Sequence, residues 1–527
     1  MRQMFVVISA IVVICIVAIG FLFPWTYHAF WVVGPLILLG FYDMTQTEHS
    51  ILRNFPVIGH GRYLLEMVRP EINQYFVESN IDGTPFDREL RSIVYQRAKK
   101  ELSTVPFGTQ RNVYEVGYEW INHSMVPKPM GEEAHRILVG EGTCSRPYSA
   151  SILNVSAMSY GSLSKNAVLA LNGGAKKGGF AHNTGEGGVS PYHLEPGGDL
   201  IWQLGTGYFG ACDGAGTFSL ERFKETVAHE QIKMIEIKLS QGAKPGHGGI
   251  LPAIKLTPEI AKIRGVPLGQ DVLSPPGHSA FSTPIELCEF IALLRETADR
   301  PVGMKLCLGK RQEFLSFCKA MVKTGIHPDY IVVDGGEGGT GAAPLEFSNR
   351  VGCPLTEALV FVHNALVGIG LRDKIRVIAS GKIVTGFDMV KVLALGADMC
   401  NSARAMMMAL GCIQARRCHA NDCPAGVATQ KPGLVAGLHA PSKAERVYQY
   451  HHGTVESMME LVAAAGMESP DELRPWHIMR RTDFTKIAHY GELFEYIPHR
   501  CLVDGEIPAH FERAWGRATA ESFSGQA

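Results

Sequence analysis

Short apolar runs separated by helical patterns dominate the chain from residue 150 to about 402. Eight of them read as candidate strands: 152–158, 179–183, 234–239, 271–274, 302–308, 330–334, 375–380 and 398–402. Continuous apolar runs of this length suit parallel strands buried on both faces. Their alternation with helices predicts an α/β fold, a (β/α)8 TIM barrel over 150–430. Gly and polar residues collect just after each run, which in such a barrel is the C-terminal rim where active sites sit. The second run is weak, and the 184–233 connection is long. Residues 4–23, MFVVISAIVVICIVAIGFLF, carry no charge and match the length of a membrane-spanning helix. A shorter apolar stretch at 29–42 reaches that length if Trp25 and Tyr27 form its interfacial end.

Together these two stretches predict a transmembrane helical hairpin over 1–44. A cleaved signal peptide fits less well. Only Arg2 forms its positive region, and the apolar core is too long. A hydrophobic hairpin buried in a soluble core is the other reading of the same pattern. Arg2, Arg53, Arg62 and Arg69 orient both ends of the hairpin to the cytoplasm, which places the protein at the cell (inner) membrane with its catalytic part on the cytoplasmic side. Residues 45–149 are polar and mixed, with helical stretches near 62–68 and 88–102, and read as a helical connecting region. Residues 431–527 form a helical extension, amphipathic at 442–465.

A net charge of −1 over 527 residues argues against nucleic acid as a partner. The 57 Gly fall in tight clusters, such as Gly246–Gly249 and Gly335–Gly341, which suits backbone approaching a ligand. Twelve Cys are too sparse for a disulfide scaffold, but three crowd into the spacing Cys412-x5-Cys418-x4-Cys423-Pro. Three thiols in a packed loop account for that spacing equally well. Zinc usually takes four ligands, so as metal ligands three close thiolates point to an iron–sulfur cluster lacking one corner.

Five motifs stand in order along the chain: HNTGEGG at 182–188, IKLSQGAKPGHGGILP at 237–252, LSPP at 273–276, DGGEGGTGAAP at 334–344, and GCIQARRCHANDCPAGVATQ at 411–430. Together they resemble the synthase domain of the glutamate synthase family, over about 150–430. RNFPVIGH at 53–60 resembles the smaller, membrane-linked, single-chain members of that family.

The resemblance implies FMN in the barrel mouth and a 3Fe-4S cluster on Cys412, Cys418 and Cys423, in a loop (411–424) after strand eight. It carries FMN contacts onto Ser156, Met158, Ser159, Gln203, Lys305, Gly338, Gly339, Gly381, Ser402, Ala403 and Arg404. Gly381 and 401–404 follow strands seven and eight, the usual phosphate position of such barrels. There the sequence departs from the family, with Asn401-Ser402-Ala403-Arg404 in place of Gly-Phe-Gly-Thr. Lys305, at the end of strand five, is expected to set a positive charge beside the flavin, although a rim lysine that snorkels to solvent reads the same way. The 2-oxoglutarate site carries over to Lys238, Gln241, Lys244 and Arg264, whose charges would clamp two carboxylates. Glu186 would orient one lysine and assist proton transfer.

The reaction so implied is reductive amination of 2-oxoglutarate with ammonia, through 2-iminoglutarate, to L-glutamate, with reduced FMN fed by the cluster. No glutaminase domain with an N-terminal cysteine is expected, so ammonia comes from solution or a separate glutaminase subunit. No Gly-x-Gly-x-x-Gly follows a strand, so electrons are expected from a ferredoxin-like protein or another subunit. Two alternatives stand beside this reading. One is the same architecture acting on another 2-oxo acid or amine, as an N-methylglutamate synthase does. The other is a non-catalytic membrane electron-transfer subunit.

Overall fold

A computed structural model describes residues 1–131, 135–213 and 216–525. The chain divides into two compact units, Met1–Arg88 and Glu89–Ala527.

The first unit opens with helix Arg2–Gly20, a 3-10 turn Pro24–Ala29 and helix Phe30–Thr45. Spans Arg2–Gly20 and Pro24–Thr45 are each long and apolar enough to cross a membrane. The two helices touch through small residues. A Cβ on Gly40 would fall 2.0 Å from the Phe5 ring, so the glycine sets their closeness. The burial is the reverse of a soluble core. Phe21, Trp31 and Leu38 are more than two-thirds exposed, whereas Asp43 is fully buried. Asp43 accepts from the Val57 N–H at 2.8 Å and pairs with His60 Nε2 at 2.9 Å, tying the following segment back to the helix end. That tie holds Val57 at φ +64, a conformation a β-branched residue rarely adopts. Most of the apolar side chains of the two helices are partly or largely exposed.

The second unit is built on a closed, all-parallel, eight-stranded barrel. Its strands are β1 (Leu153–Val155), β2 (His182–Asn183), β3 (Leu200–Leu204), β4 (Ile232–Lys238), β5 (Val302–Leu306), β6 (Tyr330–Asp334), β7 (Arg376–Ser380) and β8 (Met399–Ser402). They pair in sequence order, and β8 closes on β1 through Cys400–Leu153 and Ser402–Val155. The strands are buried nearly throughout, which is why they read as unbroken apolar runs.

Two expectations change. The long 184–233 connection contains β3, a five-residue apolar run. The run at 271–274 is no barrel strand. Val272–Leu273 pairs antiparallel with Ile250–Leu251 outside the barrel, with Leu273 66% exposed. Lys238 therefore ends the fourth strand rather than the third.

The connecting region is also less helical than expected. Arg136–Val139 and Tyr148–Ser151 form an antiparallel hairpin. It lies across the N-terminal ends of the barrel strands, where Arg376 Nε donates to Leu138 O at 3.1 Å and Thr143 Oγ1 to Asp329 Oδ1. Glu119–Ile121 pairs with Ile478–Arg481, which pairs in turn with Ile487–His489. The long helix Ala440–Ala464 packs on helices Lys165–Gly178, Gly386–Ala394 and Arg404–Leu410. It thus fills the eighth helix position, which the seven-residue Arg404–Leu410 is too short to cover.

Candidate active site

Lys238 is the last residue of β4, and its side chain is buried at the rim. Its Nζ donates to Glu186 Oε1 at 2.7 Å and to Gln241 Oε1 at 2.9 Å. Glu186 comes from the loop after β2 and sits between two glycines. A Cβ on Gly205 or Gly249 would fall 2.6 or 2.5 Å from its carboxylate oxygens. Only glycine leaves room for the carboxylate there. Burial by itself would push this carboxyl up, but Lys238, Arg264 and Lys244 hold it below the usual carboxylate range.

The two remaining cations of the expected substrate site flank this pair. Lys244 is 2% exposed, and its Nζ makes no hydrogen bond to a described residue. Burial, with Lys238 adding repulsion, brings its ammonium down to about 8. Arg264 ends helix Pro258–Arg264, which starts at a Thr257 cap with Pro258 behind it and stops at Gly265 in the left-handed region. Arg264 Nη2 donates to Ser159 Oγ at 3.3 Å and Tyr160 O at 3.2 Å, while its buried Nε has no partner among the described residues. Burial lowers it to about 10, so it stays charged at neutral pH. The structure thus gathers Glu186, Lys238, Gln241, Lys244 and Arg264 into one cluster, with positive donors unspent among the described residues.

The residues expected around FMN fall into two groups. On the phosphate side, Ser402 Oγ donates to Ile383 O at 2.7 Å, so its hydroxyl hydrogen is already committed. Arg404 Nη2 donates to Glu337 O at 2.7 Å and lies against Gly339, where a Cβ would come within 2.7 Å of its side chain. Gly381 has φ +144, and the Ser156 N–H donates to Ser402 O at 2.9 Å. Gly339 thus leaves backbone close to a part-buried guanidinium, and Gly381 lies by Glu337, whose carbonyl that guanidinium holds, a cradle whose missing side chains suit a phosphate. The other group lines the barrel interior. Gln203 Nε2 donates to Glu236 Oε1 at 2.6 Å, and Lys305 Nζ lies 3.4 Å from Asp334 Oδ2. Lys305 is only 6% exposed, which sets aside the snorkelling reading, and its charge is shared with Asp334. Met158 is buried at the end of β1, and Ser159 belongs to the Arg264 side of the pocket.

Cys412, Cys418 and Cys423 lie in a loop that stays irregular in an ordered way. Gln414, Arg416 and Asn421 all have positive φ, and Asn421 is fixed by bonds to Ile254 O, Thr429 and Gln430 N. Burial raises the Cys412 thiol to about 11 and also raises Cys418, with the neighbouring cysteines adding to each shift. Among the described residues, no three Cys, His, Asp or Glu already converge on a single ion. In a multi-iron cluster each thiolate takes its own iron, so three neighbouring thiols without disulfides, Cys423 buried and Cys412 and Cys418 part-buried, suit that group in donor type.

Several residues of the site were not singled out in the sequence. His278 Nε2 bonds Lys238 O at 2.8 Å and Nδ1 meets Tyr208 Oη at 2.9 Å, bracing the lysine from below. Lys255 is buried and donates to Ser162 O at 2.5 Å and Cys418 O at 3.3 Å, linking the loop after β1 to the cysteine loop. Glu236 and Asp334 project inside the barrel. Only the adjacency of Glu236 to Lys238, and of Asp334 to its Gly cluster, marked them in the sequence.

Residues 132–468 match the conserved region in glutamate synthase. The chain is 39% identical over 503 residues to the glutamate synthase large subunit-like protein YerD of Bacillus subtilis (strain 168), covering 87% of this chain and 95% of that one. It is 38% identical over 323 residues to the archaeal glutamate synthase (NADPH) of Methanocaldococcus jannaschii, 61% of this chain and 60% of the relative. It therefore spans less than two-thirds of that relative's length. Among solved structures, a mutant flavocytochrome b2 with pyruvate bound aligns at a TM-score of 0.42 and 14% identity, covering 88% of this chain and 92% of the other. With the conserved region spanning the whole barrel and YerD matched along nearly its full length, this chain belongs to the glutamate synthase family.

Proposed function

We propose that the chain reductively aminates 2-oxoglutarate to L-glutamate through 2-iminoglutarate, with FMN in the barrel mouth and a 3Fe-4S cluster on Cys412, Cys418 and Cys423. The observation that carries this reading is the pair of buried cations with unspent donors, Lys244 Nζ and Arg264 Nε, on either side of Glu186–Lys238. Family membership makes a 2-oxo acid and an amine the natural reactants, and two separate cations suit a dicarboxylate.

The residues divide the work. Arg264 and Lys244 each hold one carboxylate, fixing the keto carbon at the end of β4. Lys238, hydrogen-bonded to Glu186, donates one proton to the keto oxygen. Glu186 takes the proton shed by the adding ammonia and passes it to the same oxygen, which then leaves as water. His278, through Lys238 O, keeps the lysine from turning away. Ser156, the backbone at Gly338, Gly339 and Gly381, and Arg404 would hold FMN, with Lys305 near its ring. FMN supplies the hydride equivalent for the imine, and the cluster supplies one-electron transfer.

The exposed apolar surface of Arg2–Gly20 and Phe30–Thr45 supports insertion of the hairpin in the cell (inner) membrane, with the barrel on the cytoplasmic side. Electrons arrive from a ferredoxin-like donor, and ammonia from solution or a glutaminase partner. Anaerobic turnover with dithionite-reduced methyl viologen, across a panel of 2-oxo acids and amines, tests the reading. Glutamate formed from 2-oxoglutarate and ammonia is the expected result. Turnover with methylamine alone moves the activity to N-methylglutamate, and no turnover with any pair defeats the proposal.

A further inference from the structure

Glu236 lies on β4, two residues before Lys238, and is fully buried. Its Oε1 accepts from Asn183 Nδ2 at 3.0 Å and from Gln203 Nε2 at 2.6 Å. Since β2 and β4 are not neighbours, the Asn183 contact crosses the barrel interior. Oε2 has no partner among the described residues.

The charged groups around it are already engaged. Lys305 on β5 lies 3.4 Å from Asp334 Oδ2 on β6, and that oxygen also accepts from the Gly242 N–H at 2.8 Å. Lys238 on the same strand is bonded to Glu186. Tyr330, at the start of β6, donates its hydroxyl to Ile235 O at 2.9 Å. Neither ammonium forms an ion pair with Glu236. A carboxylate buried with one oxygen unsatisfied is costly, and protonation removes that cost. It also leaves the acceptor of both amides intact and turns Oε2 into an O–H. Burial pushes this carboxyl above the usual range, outweighing the opposing pull of Lys305 and the two amides.

We propose that Glu236 is a buried acid site that stays protonated at neutral pH and offers one O–H donor to the group bound in the barrel mouth. This rests on the reading of that group as FMN. A neutral acid there, rather than a carboxylate, adds no second negative charge beside the Lys305–Asp334 pair. The floor of the site then opposes negative charge on the bound ring less than a floor with two carboxylates would.

Infrared spectra of the full-length protein, wild type and Glu236→Gln, across about pH 6–9, test the protonation state. A carboxylic C=O stretch should persist in the wild type at pH values where surface acids are ionised, and Glu236→Gln should remove it. A second readout is the flavin midpoint potential. Glutamine keeps a neutral acceptor and one N–H donor, so the midpoint should stay within a tenfold change in equilibrium constant, about 30 mV for a two-electron couple. A larger rise in the variant, the mark of a lost negative charge, overturns the proposal. So does the absence of a persistent carboxylic band in the wild type, whether or not the variant folds. A preparation that binds no FMN defeats the flavin reading, while the infrared result still decides the state of Glu236.

Discussion

Glu186 Oε1 and Lys238 Nζ stand 2.7 Å apart, joining residues 52 positions apart in the chain across the rim of the barrel. Lys238 is buried and Glu186 mostly so, so water screens the pair weakly, and the lysine helps hold the Glu186 carboxyl below its usual range. Glu186→Gln keeps the shape but not the charge. It should lower kcat by about 10²–10⁴-fold, the usual worth of a positioned acid–base group, with a smaller change in KM, measured by glutamate formation under anaerobic conditions.

Arg264 presents an unpartnered Nε beside an engaged Nη2, so its planar fork is the feature a carboxylate would meet. Arg264→Lys retains the charge and loses the fork. KM for 2-oxoglutarate should rise by an amount equivalent to about 1–3 kcal/mol, while reduction of FMN by an artificial donor stays unchanged.

Lys244 is brought to about 8, so in the free protein it is charged below that pH and neutral above it. The clamp should weaken as pH rises from about 7 to about 9, with kcat/KM for 2-oxoglutarate falling toward tenfold per unit above about 8. Lys244→Arg stays charged and should flatten that fall. The same lowered value disfavours folding at neutral pH, because the unfolded lysine binds its proton more tightly. That penalty is relieved as pH climbs from about 8 toward 10.5.

Cys418 is held by its carbonyl as well as its sulfur, because Lys255 donates to Cys418 O. Cys418→Ser leaves that bond in place and removes one thiolate. Iron content after anaerobic purification should drop to background, while circular dichroism and FMN content match the parent. Iron retained in the variant, or zinc in the parent, would falsify the cluster assignment.

The hairpin holds none of the barrel strands. Deleting residues 1–44 should release the protein from lipid vesicles in a flotation assay without loss of bound FMN. Aggregation together with flavin loss would mean that these helices belong to the folded core.

Much of the fold was legible because burial on both faces writes itself into a strand as an unbroken apolar run. β4 to β8 follow from that signal, apart from the four-residue 271–274 run. That run's apolar pair Val272–Leu273 looked like a strand, and only the tertiary structure showed it pairing with Ile250–Leu251 on the outside. β3 was missed because the helices that frame it, Pro191–Leu194 and Leu220–Val227, are too short to mark out a five-residue strand inside a 50-residue connection.

The chemistry was legible residue type by residue type. Cations at Lys238, Lys244 and Arg264, the Gly-flanked Glu186 and the three cysteines all stood in local motifs. What the sequence could not determine was which charge meets which. Glu186 pairs with Lys238 and Lys305 with Asp334, while Arg264 Nε and Glu236 Oε2 have no partner among the described residues. Those relationships join strands and loops far apart in sequence, and local patterning carries no information about such distances. Barrel closure brings the strand ends to one rim, and burial there sets the charge each group can hold.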